Sequence, residues 1–306
     1  MALPVLVIGS SNTDMVVKSS RLPGPGETVI GNTFLMNAGG KGANQAVAAA
    51  RLGADVTFVT KVGNDVFGQR TAGIFADEKV NTQFVYTDPD HPSGVALIGV
   101  DSDGENLIMV APGANHSLDE EDVNAALHTF TGEAIILMQL EIPMNTVAHV
   151  VFHANKQYHK VILNPAPAAA LPKDILPGLF LITPNETEAG LLTGIDVNDE
   201  PSAIQAAEAL HNLGIPNVII TLGKRGVCLS DGSSKTFLSP PPVKAIDTTA
   251  AGDCFNGALA AGLATGMTLA EAAQFGCDAA SISVTRMGAQ ASMPYLNEVK
   301  HIQNKN

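Results

Sequence analysis

The sequence predicts a three-layer α/β/α fold: a mainly parallel central sheet, helices on both faces, and a small antiparallel β lid. Three observations lead there. Short apolar strands such as Val5–Ile8 and Val161–Leu163 alternate with helical segments over most of the 306 residues, which is how parallel strands covered on both faces read. Two patches break that alternation, because their strands follow one another with no helix between them. No repeat, charge block or linker-like segment divides the chain. One domain over 1–306 is expected, with lid strands from about 14–38 and 93–111.

The elements follow in order. Val5–Ile8 ends at Gly9, and a polar turn, Ser10-Ser-Asn-Thr-Asp14, follows. Met15–Val17 and Thr28–Met36 read as strands around the turn Leu22-Pro-Gly-Pro-Gly-Glu27, and they should pair antiparallel. Gly39-Gly-Lys-Gly42 opens an Ala-rich helix from Ala43 to Arg51. Strand Asp55–Val62, a helix over roughly 69–78 and strand Thr82–Tyr86 come next. Ser93–Val100 and Asn106–Val110 flank Asp101-Ser-Asp-Gly104, a hairpin with an Asp-Gly turn signal. Helix 119–129, strand Ala134–Leu140, helix 143–159 and strand Val161–Leu163 restore the alternation. Strand Leu179–Ile182, helices 185–193 and 201–212, and strand Asn217–Thr221 continue it. A hairpin, Gly226–Ser230 with Lys235–Leu238, precedes helices at 251–264, 268–285 and 296–303.

Composition limits the function. A formal net charge of −13 argues against a general nucleic-acid or membrane-surface binder. The absence of Trp leaves little for base stacking. Three Cys, at 228, 254 and 277, have neither metal-ligand spacing nor an even disulfide set, which fits a reducing, cytoplasmic setting. No apolar run reaches the ~18 residues of a membrane span, and the first residues lack the basic flank of a signal peptide.

Chemistry concentrates at Asp247-Thr-Thr-Ala-Ala-Gly-Asp253-Cys-Phe-Asn-Gly257. An acid in a glycine turn at a helix start sits beside unpaired N–H groups that hold anions, which suits proton abstraction next to a phosphate. The plainer alternative is a helix cap. Gly39-Gly-Lys-Gly-Ala-Asn44 lets the backbone approach a ligand closely, or serves only tight packing. Asn12 and Asp14 follow the first strand, where open α/β sheets bind ligands; an Asx turn explains them equally well. Glu141 ends an apolar strand, where core packing does not account for it: it is a site acid at a strand end or an exposed loop acid. Asn185 and Glu188 are spaced to hold Mg²⁺ through water, or to form a capping box. Thr221-Leu-Gly-Lys-Arg-Gly226 reads as a phosphate-covering loop or as a β-turn.

Together, Gly39-Gly-Lys-Gly-Ala-Asn-Gln45 and Asp247-Thr-Thr-Ala-Ala-Gly-Asp253 resemble the two signatures of the PfkB-type carbohydrate kinases. Pro25-Gly-Glu27, Met138-Gln-Leu-Glu141, Asn164-Pro-Ala-Pro167, Thr183-Pro-Asn-Glu-Thr-Glu188 and Val284-Thr-Arg-Met-Gly-Ala-Gln290 extend the likeness over almost the whole chain. The resemblance implies a ribokinase-like fold and transfer of the γ-phosphoryl group of ATP to the 5-hydroxyl of ribose. Deoxyribose, another pentose or a nucleoside is the alternative acceptor, and a non-catalytic sugar sensor is the third reading.

The resemblance also implies roles. Asp253 is the general base, and Ala250, Ala251 and Gly252 line the anion hole. Asn12, Thr13, Asp14, Gly40, Lys41, Gly42, Ala43, Asn44 and Glu141 surround the sugar. Asn185, Glu188, Thr221, Leu222, Gly223, Lys224, Arg225 and Gly226, with Gly252, Asp253 and Cys277, serve ATP and its Mg²⁺. Asp247, Thr249, Ser283, Arg286, Gly288 and Ser292 surround an activating K⁺, several through backbone oxygens. The lid strands would join two subunits into a homodimer. Two positions depart from the family pattern. Cys254 follows the base where Thr, Ser or Ala is usual, which suggests sensitivity to thiol reagents. Cys277 stands where His or Asn is common beside the adenine.

Overall fold

β1 (Val5–Ile8) lies inside a nine-stranded sheet because all four of its residues are apolar and fully buried. Val5 and Val7 face one core, while Leu6 and Ile8 face the other. This two-sided burial produces an unbroken apolar run instead of an alternating one. The computed structural model describes residues 2–303. In chain order β1 is followed by β2 (Asn12–Lys18), β3 (Thr33–Gly39), α1 (Lys41–Arg51), β4 (Val56–Gly63), α2 (Val66–Asp77), β5 (Asn81–Asp88), β6 (Gly94–Val100) and β7 (Asn106–Ala111). Then come α3 (Glu120–Leu127), β8 (Ile135–Met138), α4 (Met144–Lys156), β9 (Lys160–Leu163), β10 (Leu181–Ile182), α5 (Glu186–Thr193) and α6 (Glu200–Asn212). The chain closes with β11 (Val218–Thr221), β12 (Val227–Ser230), β13 (Lys235–Leu238), α7 (Ala251–Ala264), α8 (Leu269–Ser283) and α9 (Leu296–Gln303).

The large sheet runs β13-β12-β11-β10-β9-β8-β1-β4-β5. From β11 to β5 every pairing is parallel, and β12 and β13 extend one edge as an antiparallel hairpin. The expected three layers are present. A second, four-stranded sheet has the order β3-β2-β6-β7. Its two antiparallel pairs are joined by parallel pairing of β2 with β6, Asn12 opposite Gly94.

Several boundaries differ from the sequence reading. The expected strand Thr28–Met36 occupies Thr33–Gly39 instead. Its pairing begins where Lys18 meets Thr33, and residues 28–32 have no strand opposite them. The expected strand Ala134–Leu140 ends at Met138, because the Leu140 N–H turns away to the carbonyl of Ala166. That early ending swings Glu141 out of the sheet and into the site. The helix placed at 69–78 starts at Val66, capped by Asp65, whose carboxylate accepts the N–H groups of Phe67 and Gly68.

Two glycines set how α1 and α7 sit. A Cβ at Gly42 would lie 2.6 Å from the Gly9 carbonyl carbon, so α1 starts against the end of β1. A Cβ at Gly257 would lie 2.6 Å from the Gln45 carbonyl oxygen, so α7 crosses α1 at near backbone contact. These two approaches bring the helix starts carrying Asn44 and Asp253 side by side.

Candidate active site

The site lies at the carboxyl ends of the parallel strands, where β1, β8, β9, β10 and β11 release Ser10, Glu141, Asn164, Asn185 and Leu222. At its centre is Asp253 in the first turn of α7, 6% exposed. The Asn44 Nδ2 donates to Asp253 Oδ2 at 2.9 Å, and the Gln45 Nε2 donates to Oδ1 at 2.9 Å. The side chain does not cap its own helix, since α7 has no side-chain cap. Burial raises the Asp253 pKa, opposed by the Lys41 ammonium and by the Asn44 and Gln45 amides.

The turn before α7 is unusual. Ala250 has φ 57° and ψ 19°, a left-handed conformation that strains a residue bearing a Cβ. The turn leaves the next N–H groups facing outward. Among the described residues, the Gly252 and Asp253 N–H groups meet no backbone acceptor, whereas that of Ala251 donates to the Thr248 carbonyl at 3.2 Å. The Ala251 N–H is therefore not free in the way the resemblance implied; a type of turn closed by Thr248 has taken it. A Cβ at Gly252 would meet nothing within 4 Å, so open space lies in front of the helix end. An anion fits there.

The expected sugar residues converge beside Asp253. Glu141 Oε2 accepts the Ser10 hydroxyl at 2.5 Å and the Lys41 N–H at 3.0 Å. The Ala43 N–H donates to the Ser10 carbonyl at 2.9 Å. Gly40 turns the chain at φ 89°, directly over Asn12 and Ser10. Asn12 and Thr13 are buried, and the Asn12 side-chain oxygen accepts the Asn115 Nδ2 at 2.7 Å. Asp14 is pushed up to about 6, chiefly by burial and then by the charges of Glu141 and Asp253. Burial lowers the Lys41 ammonium, but Asp253, Glu141 and Glu188 outweigh it and the net shift is upward. The site thus holds four acids around one half-buried Lys.

The residues expected to serve the nucleotide divide into two groups. Asn185 and Glu188 form a reciprocal capping box at 2.8 Å in both directions, so the capping alternative is realised. Glu188 is nonetheless buried, its pKa raised by that burial, and its Oε1 makes no hydrogen bond among the described residues. Thr221 ends β11 with its N–H on the Pro184 carbonyl, and Gly223 and Gly226 hold φ 56° and 86° in an exposed-to-buried turn. Lys224 is exposed there. The Arg225 guanidinium is engaged with Glu186 and the Asn198 carbonyl, so it does not point free into the site. The Leu222 side chain belongs to a core cluster, leaving only its backbone to a ligand.

Both departing cysteines are buried. Cys277 packs in the core on α8 at 3% exposure, which gives its thiol no open path to a nucleotide. Cys254 is fully buried, and burial pushes its thiol up to about 12. The expected thiol sensitivity has no structural basis, because the reactive thiolate is both unpopulated and inaccessible.

Of the residues expected around K⁺, three meet. Asp247 Oδ1 accepts the Thr249 N–H at 2.9 Å and its hydroxyl at 2.6 Å, and Oδ2 accepts the Gly288 N–H at 2.8 Å. The Ser283 carbonyl accepts the Arg286 N–H at 3.0 Å, and the Arg286 side chain pairs with Glu298 at 2.5 Å. The Ser292 hydroxyl donates to the Ala289 carbonyl on the same loop.

Sequence reasoning assigned no role to several residues that shape the site: Ser10, Gln45, Asn115, Asn164 and Asn256. Asn115, in the turn Gly113–Ser117, carries no mark in the sequence; Ser10 and Asn164 follow apolar strands, and Gln45 and Asn256 stand within quoted motifs. That placement was the available signal.

Comparison with known proteins agrees with this geometry. The pfkB family carbohydrate kinase description matches residues 3–296. A ribokinase of Haemophilus influenzae is 44% identical over 298 residues, covering 97% of each chain. A deoxyribokinase of Salmonella typhi is 35% identical over 297 residues, with 97% of each chain covered. The structure of Arabidopsis thaliana ribokinase complexed with ribose and ATP superposes with a TM-score of 0.91 at 34% identity, covering 99% of both chains. With an acid at an open helix N-terminus, a polar cluster at the strand ends and a family match over nearly its whole length, the chain belongs to the pfkB family of carbohydrate kinases.

Proposed function

We propose that this enzyme is a ribokinase: it transfers the γ-phosphoryl group of ATP to O5 of D-ribose, giving ribose 5-phosphate and ADP. The observation that carries the reading is the Asp253 carboxylate, held by two amides at the mouth of an open helix N-terminus beside a cluster of hydroxyl-binding groups. The relatives named ribokinase supply the substrate.

Asp14, Asn12, Asn44, the N–H groups around Gly40 to Ala43, Lys41 and Glu141 would hold the sugar hydroxyls and aim O5 at the phosphorus. Asp253 accepts the O5 proton as the O5–P bond forms and the P–O bond to ADP breaks. The N–H groups of Gly252 and Asp253 face the phosphoryl oxygens, and Lys41 offsets charge nearby. The Thr221–Gly226 turn would cover the nucleotide. The donor chemistry fits the expected cations. Glu188, with one carboxylate oxygen outside its cap, would hold Mg²⁺ through water, and the Asp247 carboxylate and neighbouring carbonyls would hold K⁺. Mg²⁺ neutralises phosphate charge when bound.

The four-stranded sheet exposes Phe34, Leu97, Leu107, Ile108, Met109 and Val110. So many apolar side chains on one small sheet suit burial against a second copy, a homodimer that closes both sites from water. No helix among the described residues is long and apolar enough to cross a membrane, and the free cysteines suit the cytoplasm.

An ADP-release assay across pentoses, with and without K⁺, tests the reading. Ribose should give the highest kcat/KM. A preference for 2-deoxyribose would favour the second reading, for which the Salmonella relative gives the precedent. No ADP with any pentose would overturn both. Light scattering on the same preparation should give a dimer mass; a monomer would remove the subunit contact.

A further inference from the structure

Behind the base, the buried amides form a closed circuit. The Gln45 Nε2 donates to Asp253 Oδ1 at 2.9 Å and to Asn164 Oδ1 at 3.0 Å. The Asn164 Nδ2 donates to the Thr183 carbonyl at 3.3 Å, and the Thr183 hydroxyl donates to Asn256 Oδ1 at 2.6 Å. The Asn256 Nδ2 then donates to the Gly252 carbonyl at 2.8 Å, one residue before Asp253. A second support fixes which way Gln45 faces, since its Oε1 accepts the Gln139 Nε2 at 2.6 Å. Four elements are tied in one ring: α1, the ends of β9 and β10, and α7.

Every side chain in the ring is uncharged and buried: Gln45 is 0% exposed, Thr183 and Asn256 1%, and Asn164 7%. None lies among the groups that face the substrates. Burying this many amides is unfavourable unless each is bonded, and a bonded ring then has essentially one geometry. The ring's two ends are the base carboxylate and the carbonyl of the residue whose N–H faces the phosphoryl site.

We propose that Gln45, Asn164, Thr183 and Asn256 are positioning residues for phosphoryl transfer. Their ring fixes the Asp253 carboxylate and the start of α7 as one unit, with Gln45 as the fixed donor to the base. Asn44, the other donor, faces the sugar side; Gln45 does not. The inference rests on Asp253 being the base of the proposed kinase reaction.

The charged groups around Asp253 are Lys41 on α1, Glu141 after β8, Glu188 on α5 and Asp14 on β2. None of them changes when Gln45 is replaced. Gln45 lowers the Asp253 pKa against the rise caused by burial. Removing its N–H therefore moves the base upward, and the acid limb of kcat moves to higher pH.

The test compares Gln45→Met, which keeps the side-chain length and removes the donor, with Thr183→Val and Thr183→Ser. Steady-state kinetics with ribose and ATP are measured from pH 5 to 9, alongside thermal melting. Gln45→Met should lower kcat about 10–100-fold, the range for losing one hydrogen bond to a charged group, with ribose KM within about threefold. Its acid limb should move up. Thr183→Val should lower kcat in the same direction, and Thr183→Ser, which restores the hydroxyl, should recover most of the loss. An unchanged kcat and pH profile would overturn the proposal. So would a melting loss with kcat and pH profile intact, which marks a purely structural ring. If Gln45→Met does not fold, the Thr183 pair decides by the same criteria. Failure of wild type to phosphorylate any pentose would instead overturn the proposed function on which this rests.

Discussion

Asp253→Asn should lower kcat by about 10²–10⁴-fold, the usual contribution of a positioned general base, while the protein folds and binds ribose. Geometry permits the substitution. The Asn44 Oδ1 has no hydrogen-bond partner among the described residues, so a rotated Asn44 amide can accept from a new amide at position 253. Stability should not fall. Burial raises the Asp253 pKa above its unfolded value, so the folded state binds the proton more tightly and ionised Asp253 costs stability as pH rises through that window. At pH 7 the neutral variant should therefore melt no lower than wild type. Turnover near wild type would remove Asp253 as the base. A large drop in melting temperature with lost activity would mean that the carboxylate holds the fold rather than the proton.

Asp14→Asn should raise the KM for ribose about 10–100-fold while changing kcat much less. A carboxylate accepting sugar hydroxyls makes charge-assisted bonds of about 1.5–3 kcal/mol each, and the amide keeps only part of that. The wild-type pH dependence follows from the same group. Asp14 has its folded pKa raised from 3.8 to about 6. Below that value the carboxyl is protonated and loses acceptor capacity. Ribose KM in the wild type should then rise as pH falls from 7 to 5, by about tenfold per unit at the steepest, and the variant should lose that rise. The sign for stability is opposite to that of a salt-bridged acid. Ionised Asp14 is disfavoured in the folded state, so its contribution to stability is full at low pH and lost between 3.8 and about 6. Asp14→Asn should therefore hold or raise the melting temperature at neutral pH. An unchanged KM would place the sugar elsewhere. Isothermal titration with ribose alone separates this from effects on chemistry.

The sheet was legible because its strands are short, apolar and buried on both faces, and because helices separate them. Val5–Ile8 and Val161–Leu163 illustrate this, whereas the largely exposed hairpin 94–111 was legible through its Asp-Gly turn. Boundaries were less legible where a partner decides them. Nothing in Thr28–Ile30 says that β2 has already run out of pairing length at Lys18. Local chemistry also hid how bonds are shared. Asn185 and Glu188 can cap a helix and still offer a carboxylate oxygen, and only the structure shows both at once. Arg225 looks like a phosphate ligand in sequence, but a distant acid, Glu186, takes it. The amide ring was invisible for the same reason. Successive side chains of the ring, Gln45, Asn164, Thr183 and Asn256, lie 119, 19 and 73 residues apart, and each alone reads as an ordinary polar residue in a helix or after a strand.

In the proposed reaction the sugar's primary hydroxyl, delivered to Asp253, is the group phosphorylated. The phosphorus spectrum of the product formed from ribose, ATP and Mg²⁺ tests it most directly. A phosphomonoester signal split by the two C5 protons is expected, and it should be lost in Asp253→Asn on the same timescale. A phosphorus coupled to the single anomeric proton, or no new phosphoester, would contradict it.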